Sequence, residues 1–117
     1  MDIEAIRAYC LSKKGTEEGF PFDDNTLVIK VVGKIFILIS LDGDPSMNLK
    51  CDPDRAIELR EANPAITSGY HMNKKHWNTI VLDGSLSKRL ILEMIDHSYE
   101  LVFQSLSAKL RLEIEQI

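Results

Sequence analysis

The sequence predicts an α+β fold, a two-layer α/β sandwich in which an antiparallel sheet of about five strands is backed by helices. Three observations carry this expectation. Leu27 to Leu41 is rich in β-branched residues and is divided by Gly33 and Lys34, the pattern of a hairpin. Ile66 to Leu82 repeats the pattern around a polar Asn73-Lys74-Lys75 turn, and Leu86 to Leu106 carries a single apolar stripe at helical spacing. A chain of 117 residues is long enough to bury one two-layer core and too short for two independent ones, so residues 1–117 form a single domain.

Each element has a local reason. Asp2 caps a first helix whose Ile3, Ile6 and Cys10 recur on one face, with Lys13, Lys14 and Gly15 reversing the chain at its end. The following Thr16 to Asn25 segment contains Gly19, Pro21 and paired acids, and reads as an ordered loop anchored by Phe20 and Phe22. The strand Ile35 to Leu41 is apolar at almost every position, which predicts a central place in the sheet. After an Asp42-Gly43-Asp44-Pro45 turn, Met47, Leu49 and Cys51 alternate with Asn48, Lys50 and Asp52, giving a meander whose last strand is half exposed. Asp52 and Pro53 open a short middle helix with Ala56, Ile57 and Leu59 facing inward, and Asn63-Pro64 ends it. Ile66 to Met72 and His76 to Leu82 form the second hairpin, a wing. Ser85 or Ser87 caps the long helix, and Ser105 and Ser107 break it before a last short helix with Leu110 and Ile114.

Composition excludes several classes. No window approaches the ~18 apolar residues of a membrane span, and the N-terminal Met-Asp-Ile-Glu-Ala-Ile lacks the basic start of a signal peptide. A cytoplasmic protein with no membrane partner is expected. Cys10 and Cys51 lie far apart in apolar-patterned segments, so free buried thiols are expected rather than a disulfide or redox pair. A net charge of −4 argues against coating nucleic acid by bulk electrostatics. The charge is nevertheless polarised: residues 15–26 hold four acids and no base, whereas residues 67–92 hold four bases and one acid.

The Lys-Gly-Thr-Glu-Glu…Pro-Phe loop, the Asn73-Lys74-Lys75-His76-Trp77 run followed by Leu82-Asp83-Gly84-Ser85, and His97-Ser98-Tyr99 in the long helix together resemble the MmcQ/YjbR family of small bacterial proteins. The resemblance covers nearly the whole chain. It implies a fold similar to the frataxin-like CyaY sandwich and a DNA-binding role through a double-wing surface. It carries no catalytic residue across.

The candidate nucleic-acid-binding residues are Asn73, Lys74, Lys75 and His76 at the wing tip, where lysines can meet phosphate oxygens, with Lys88 and Arg89 joining them if the long helix starts beside the wing. The alternative for each is a solvated turn or helix face. Trp77 offers a base platform, but at a strand position it is expected to anchor the wing to the core. His71, His76 and His97 do not make the four-ligand set of structural zinc, and no metal or cofactor is predicted. Glu17, Glu18, Asp23 and Asp24 are read as a solvated acidic loop rather than a cation site or an acid–base pair. The expected function is therefore a non-enzymatic DNA-binding module. The alternative is a small-molecule, metal or protein-interaction domain. The oligomeric state is open, and a monomer is compatible with this reading.

Overall fold

The structure is a computed structural model, and it describes residues 1–69 and 73–117. Along the chain the elements are α1 (Ile3–Leu11), β1 (Thr16–Gly19), β2 (Thr26–Val31), β3 (Lys34–Ser40), β4 (Ser46–Lys50), α2 (Pro53–Ala62), β5 (Ile66–Ser68), β6 (Trp77–Val81), α3 (Lys88–Gln104) and α4 (Ala108–Glu115). The six strands form one sheet in the order β1-β2-β3-β4-β6-β5, and every neighbouring pair is antiparallel. The α+β class and the meander followed by a second hairpin match the expectation from sequence. Tyr70, His71 and Met72, which the sequence reading placed at the end of the fifth strand, lie outside the described residues.

The helices start where capping chemistry allows. Asp2, Asp52, Ser87 and Ser107 each accept a hydrogen bond from a backbone N–H in the first turn of the helix that follows. Of the two serines considered for the long helix, Ser87 is the cap. Ile6 and Cys10 of α1, Ile91, Met94, Ile95, Val102 and Phe103 of α3, and Ile114 of α4 all pack into one cluster with Ile29, Ile37, Ile39, Met47, Leu49 and Ile80 of the sheet. All of this lies on one face. The opposite face carries a separate small cluster, Val28, Leu38 and Trp77 with Ile35 against it, to which no described helix contributes. Trp77 thus anchors the wing, but onto this second cluster rather than onto the main core.

A bulge disturbs the β2–β3 ladder between Ile29 and Lys30, so that Ile29 faces Ile37 while Lys30 faces Ile35. The extra residue is Phe36, fully buried and edge-on to the Tyr99 ring at 5.4 Å. Its carbonyl accepts a 2.5 Å hydrogen bond from Ser98 Oγ, which also accepts one from Lys50 N at 2.9 Å. Ser98 therefore ties α3 to the ends of two strands where the regular ladder stops, instead of bonding its own helix. On the far side of α3, Asp96 accepts from both Tyr9 Oη at 2.7 Å and Lys13 Nζ at 2.6 Å, fastening α1.

Three expectations need correction. The sheet has six strands, because Thr16–Gly19 pairs with β2 instead of forming loop. Its Glu18 is held by a forked pair with Arg7 of α1, which compensates for the polar sequence. Phe20 and Phe22 do not anchor that segment: they are 49% and 65% exposed. Ile57, placed inward by helical spacing, is exposed, because only the Ala56 side of α2 meets the sheet. β4 keeps one face open, as expected, and lies between β3 and β6.

No described helix is long and apolar enough to cross a membrane. Cys10 and Cys51 are free and buried, and burial pushes the Cys10 thiol up to about 12, far from a reactive thiolate.

Candidate functional site

The wing tip is built by backbone hydrogen bonds. Asn73 O accepts from His76 N at 3.1 Å and Trp77 N at 3.0 Å, while Asn73 Oδ1 accepts from Lys75 N at 2.9 Å, an Asx turn that fixes the two lysines on its outside. The turn is then tied down from two directions. Cys51 N at the end of β4 donates to His76 O at 2.7 Å, and Arg60 of α2 donates to Lys74 O at 2.9 Å and to Asn78 Oδ1 at 2.8 Å. Asn78 is buried and aims its amide nitrogen at Ala56 O. Arg60 and Asn78 are thus a polar bracket between the middle helix and the wing. Gly69 opposite the tip is required by close approach, since a Cβ there would lie 2.8 Å from Trp77 Cβ.

The junction below the bracket rests on a histidine. His97 Nε2 of α3 accepts from Asp52 N at 3.1 Å, so the ring is neutral with its proton on Nδ1. Burial first, then the nearby Arg55 guanidinium, hold the His97 pKa below the ordinary value, against the opposing pull of Asp52.

Lys74 and Lys75 are exposed and form no ion pair among the described residues. Strand register adds two further lysines that sequence reading did not single out. Lys50 stands directly across from Trp77, and Lys30 pairs with Ile35 from β2, a strand that runs parallel to β4, so both lysines lie at the same end of the sheet. Alternation puts both on the open face with Val28 and Trp77. Their signal in the sequence is present but ordinary: each is the one charged residue inside an apolar strand, pointing away from the core.

Lys88 and Arg89 do not join this group. They begin α3 after Leu82, whose N–H donates to Pro45 O, so the whole of β6, about 17 Å at ~3.4 Å per residue, separates them from the tip. Arg89 instead reaches Glu93 at 3.3 Å. The open face is consequently polarised along its strands. Lys30, Lys50, Lys74 and Lys75 occupy one end, with Glu17 of β1 opposite Lys30, whereas Asp23, Asp24, Asp42, Asp44 and Asp83 lie in the turns at the other.

Between these ends runs a shallow polar groove of about 530 Å³, floored by Leu38 and lined by Thr26, Ser40, Ser46, Asn48, Thr67 and Thr79, with Asp23 and Asp42 at its acidic rim. Asp23 caps its own turn by accepting from Asn25 N and Thr26 N, which holds its carboxyl below the usual range. The acids of residues 17–24 therefore do not converge: Glu18 serves Arg7 and Asp23 serves its turn. Among the described residues no group of three His, Cys, Asp or Glu side chains is placed to hold a metal ion, and His71, half of the pair considered with His76, lies outside them.

Comparison with known proteins agrees with this architecture. The chain is 36% identical over 107 residues to YbdF of Escherichia coli O157:H7, covering 91% of this chain and 88% of that protein. It is 34% identical over 101 residues to YjbR of Escherichia coli K12, covering 86% of each. Among solved structures, the Deinococcus radiodurans protein DR2400 superposes with a TM-score of 0.90 at 40% identity, over 97% of this chain and 87% of that one. A Pseudomonas syringae protein superposes with a TM-score of 0.76 at 27% identity, over 87% and 99% of the two chains. The YjbR family model matches residues 11–101, from the end of α1 through most of α3, and the chain accordingly belongs to the YjbR family.

Proposed function

We propose that this protein is a non-enzymatic nucleic-acid-binding module of the cytoplasm whose contact surface is the basic end of the open sheet face. The reading takes the fold as a frataxin-like sandwich. One observation carries it: the register that sets Lys50 beside Trp77 joins Lys30 and Lys50 to the Asn73-Lys74-Lys75-His76 turn, so four lysines with no ion pair among the described residues share one end of the face, with Glu17 opposite Lys30 as its acidic limit. Lysines so arranged neutralise phosphates and release counterions, and the acidic turns at the far end repel the same backbone, which orients the complex. Arg60, held between Lys74 O and Asn78, pre-organises the turn and lowers the entropy cost of contact. His76 supplies a further donor. Lys88 and Arg89 have no part in the contact.

The test is fluorescence anisotropy of labelled DNA, both duplex and single-stranded, titrated with the protein at several salt concentrations. Wild type binds more weakly as salt rises, and Lys74→Ala/Lys75→Ala flattens the log–log salt slope by about 2, one for each lost phosphate contact. Lys88→Ala/Arg89→Ala leaves affinity unchanged. Absence of binding at low salt, or binding indifferent to Lys74 and Lys75, rejects the proposed surface.

A further inference from the structure

We infer that the nucleic acid accepted by this face is a single strand laid across the β-strands, with its phosphates along Lys30, Lys50 and the tip lysines and its base edges over Asn48. This inference rests on the nucleic-acid reading above and adds to it the class of substrate and the residue that reads it.

The lysine line runs across the strands rather than along them. Lys30 on β2 and Lys50 on β4 are two strands apart, hence ~10 Å, and the tip lysines stand beside Lys50, past the start of β6 at Trp77. Two residues along each strand toward the acidic end comes a parallel row, Val28, Leu38, Asn48, Thr79 and Thr67, in mutual register and ~7 Å from the first. From Lys30 to Lys50 the first row is cationic, bounded on β1 by Glu17 opposite Lys30, and the next row is uncharged. A chain of phosphates with bases projecting to one side fits two such rows.

A duplex fits them poorly. Six strands at ~4.8 Å span roughly 24 Å, whereas the major groove is ~12 Å wide and admits a helix or a two-stranded ribbon. An open sheet face meets unpaired bases instead, which lie flat and expose their hydrogen-bonding edges. Trp77 is 9% exposed and so is no stacking platform, which leaves edge recognition to polar groups.

Asn48 is placed for that recognition. Thr79 Oγ1 donates to Asn48 Oδ1 at 2.6 Å, which uses the amide oxygen and fixes the plane of the side chain. The Nδ2 group has no partner among the described residues and lines the groove, half-buried. Asn48 therefore presents donors only, and donors select base edges rich in acceptors. Thymine, with two carbonyl oxygens, suits it better than adenine, whose exocyclic amine is a donor.

The experiment compares labelled oligo-dT, oligo-dA and a duplex of equal length, using wild type, Asn48→Asp, Thr67→Val and Lys74→Ala/Lys75→Ala. Oligo-dT is expected to bind wild type most tightly. Asn48→Asp, which replaces the donor by an acceptor, should cost about 3- to 10-fold toward oligo-dT, the scale of one hydrogen bond. It should narrow the preference for dT over dA. The lysine variant weakens all three ligands together. Thr67 sits at the exposed edge strand, so Thr67→Val reports on the same row without touching the sheet interior, and a smaller loss toward oligo-dT is expected. Duplex bound as tightly as oligo-dT, or a dT preference unchanged in both Asn48→Asp and Thr67→Val, overturns the single-strand inference while leaving the basic surface standing. Failure of every ligand to bind wild type removes the surface itself.

Discussion

The helix-covered face of the sheet and its open face are built from alternate residues of the same strands, and they differ in almost everything else. In β4, Met47 and Leu49 are essentially without solvent exposure, while Ser46, Asn48 and Lys50 between them face the groove and the basic edge. The covered face gathers nearly the whole hydrophobic core, whereas among the described residues the open face buries only Val28, Leu38 and Trp77. This contrast teaches where specificity of fold and freedom for function reside. A register slip of one residue would drive Lys30, Asn48 and Lys50 into the core, so the covered face holds the register for both. The open face is then free to vary in chemistry at little cost in stability.

The largest test of this division is Phe36→Ala. Phe36 is fully buried at the bulge, and truncating it should cost about 3–5 kcal/mol in urea unfolding, against no more than ~0.5 kcal/mol for Lys50→Ala on the other face. Comparable values for the two variants would break the comparison. Next comes Ser98→Ala, which strands Phe36 O and Lys50 N without their shared partner and should cost about 1–3 kcal/mol by the same measurement.

Gly69→Ala probes the seam where the two faces meet at the wing. Because the added methyl would meet Trp77 Cβ and backbone, a loss of about 1–3 kcal/mol is expected, with Trp77 fluorescence shifted in the native state.

A smaller effect concerns pH. The His97 pKa is lowered in the folded protein, so the unfolded chain binds its proton first as pH falls. The contribution of neutral His97 is complete above the unfolded value of 6.5 and is lost as pH falls from there through the folded value. Thermal unfolding of wild type should weaken over that window, and His97→Gln should flatten the dependence there. The carboxylates whose values are lowered, Glu18, Asp23, Asp83 and Asp96, act at more acid pH, below ordinary values of 4.5 and 3.8. Smallest of all in stability is Lys74→Ala/Lys75→Ala, expected within ~0.5 kcal/mol of wild type, so that any loss of nucleic-acid binding reports on the surface and not on folding.

Particular residues show how far the sequence could be read. The stripe from Leu90 to Val102 declares itself because a helix buries residues three and four apart, and the hairpins declare themselves because strands bury every second residue. β1 did not, since Thr-Glu-Glu-Gly has no apolar alternation and becomes a strand only when β2 offers its edge and Arg7 pairs with Glu18. The exposure of Phe20, Phe22 and Ile57 was equally illegible: an apolar residue is buried only if another element is present to cover it.

The candidate site divides the same way. Asn73, Lys74, Lys75 and His76 were visible as a basic turn because their proximity is covalent. Lys30 and Lys50 were not, and the separation of Lys88 and Arg89 from the tip was not, because both follow from which strand lies beside which.

What the sequence determined by itself is the set of elements, their caps and turns, and the faces that must be buried, since these depend on backbone preference and side-chain period within a few residues. What only the tertiary structure decided is the sixth strand, the Ser98 tie, the Arg60–Asn78 bracket and the gathering of four lysines at one end of an open face. Those are contacts between residues far apart in the chain, fixed by strand order and register, and no local pattern specifies them.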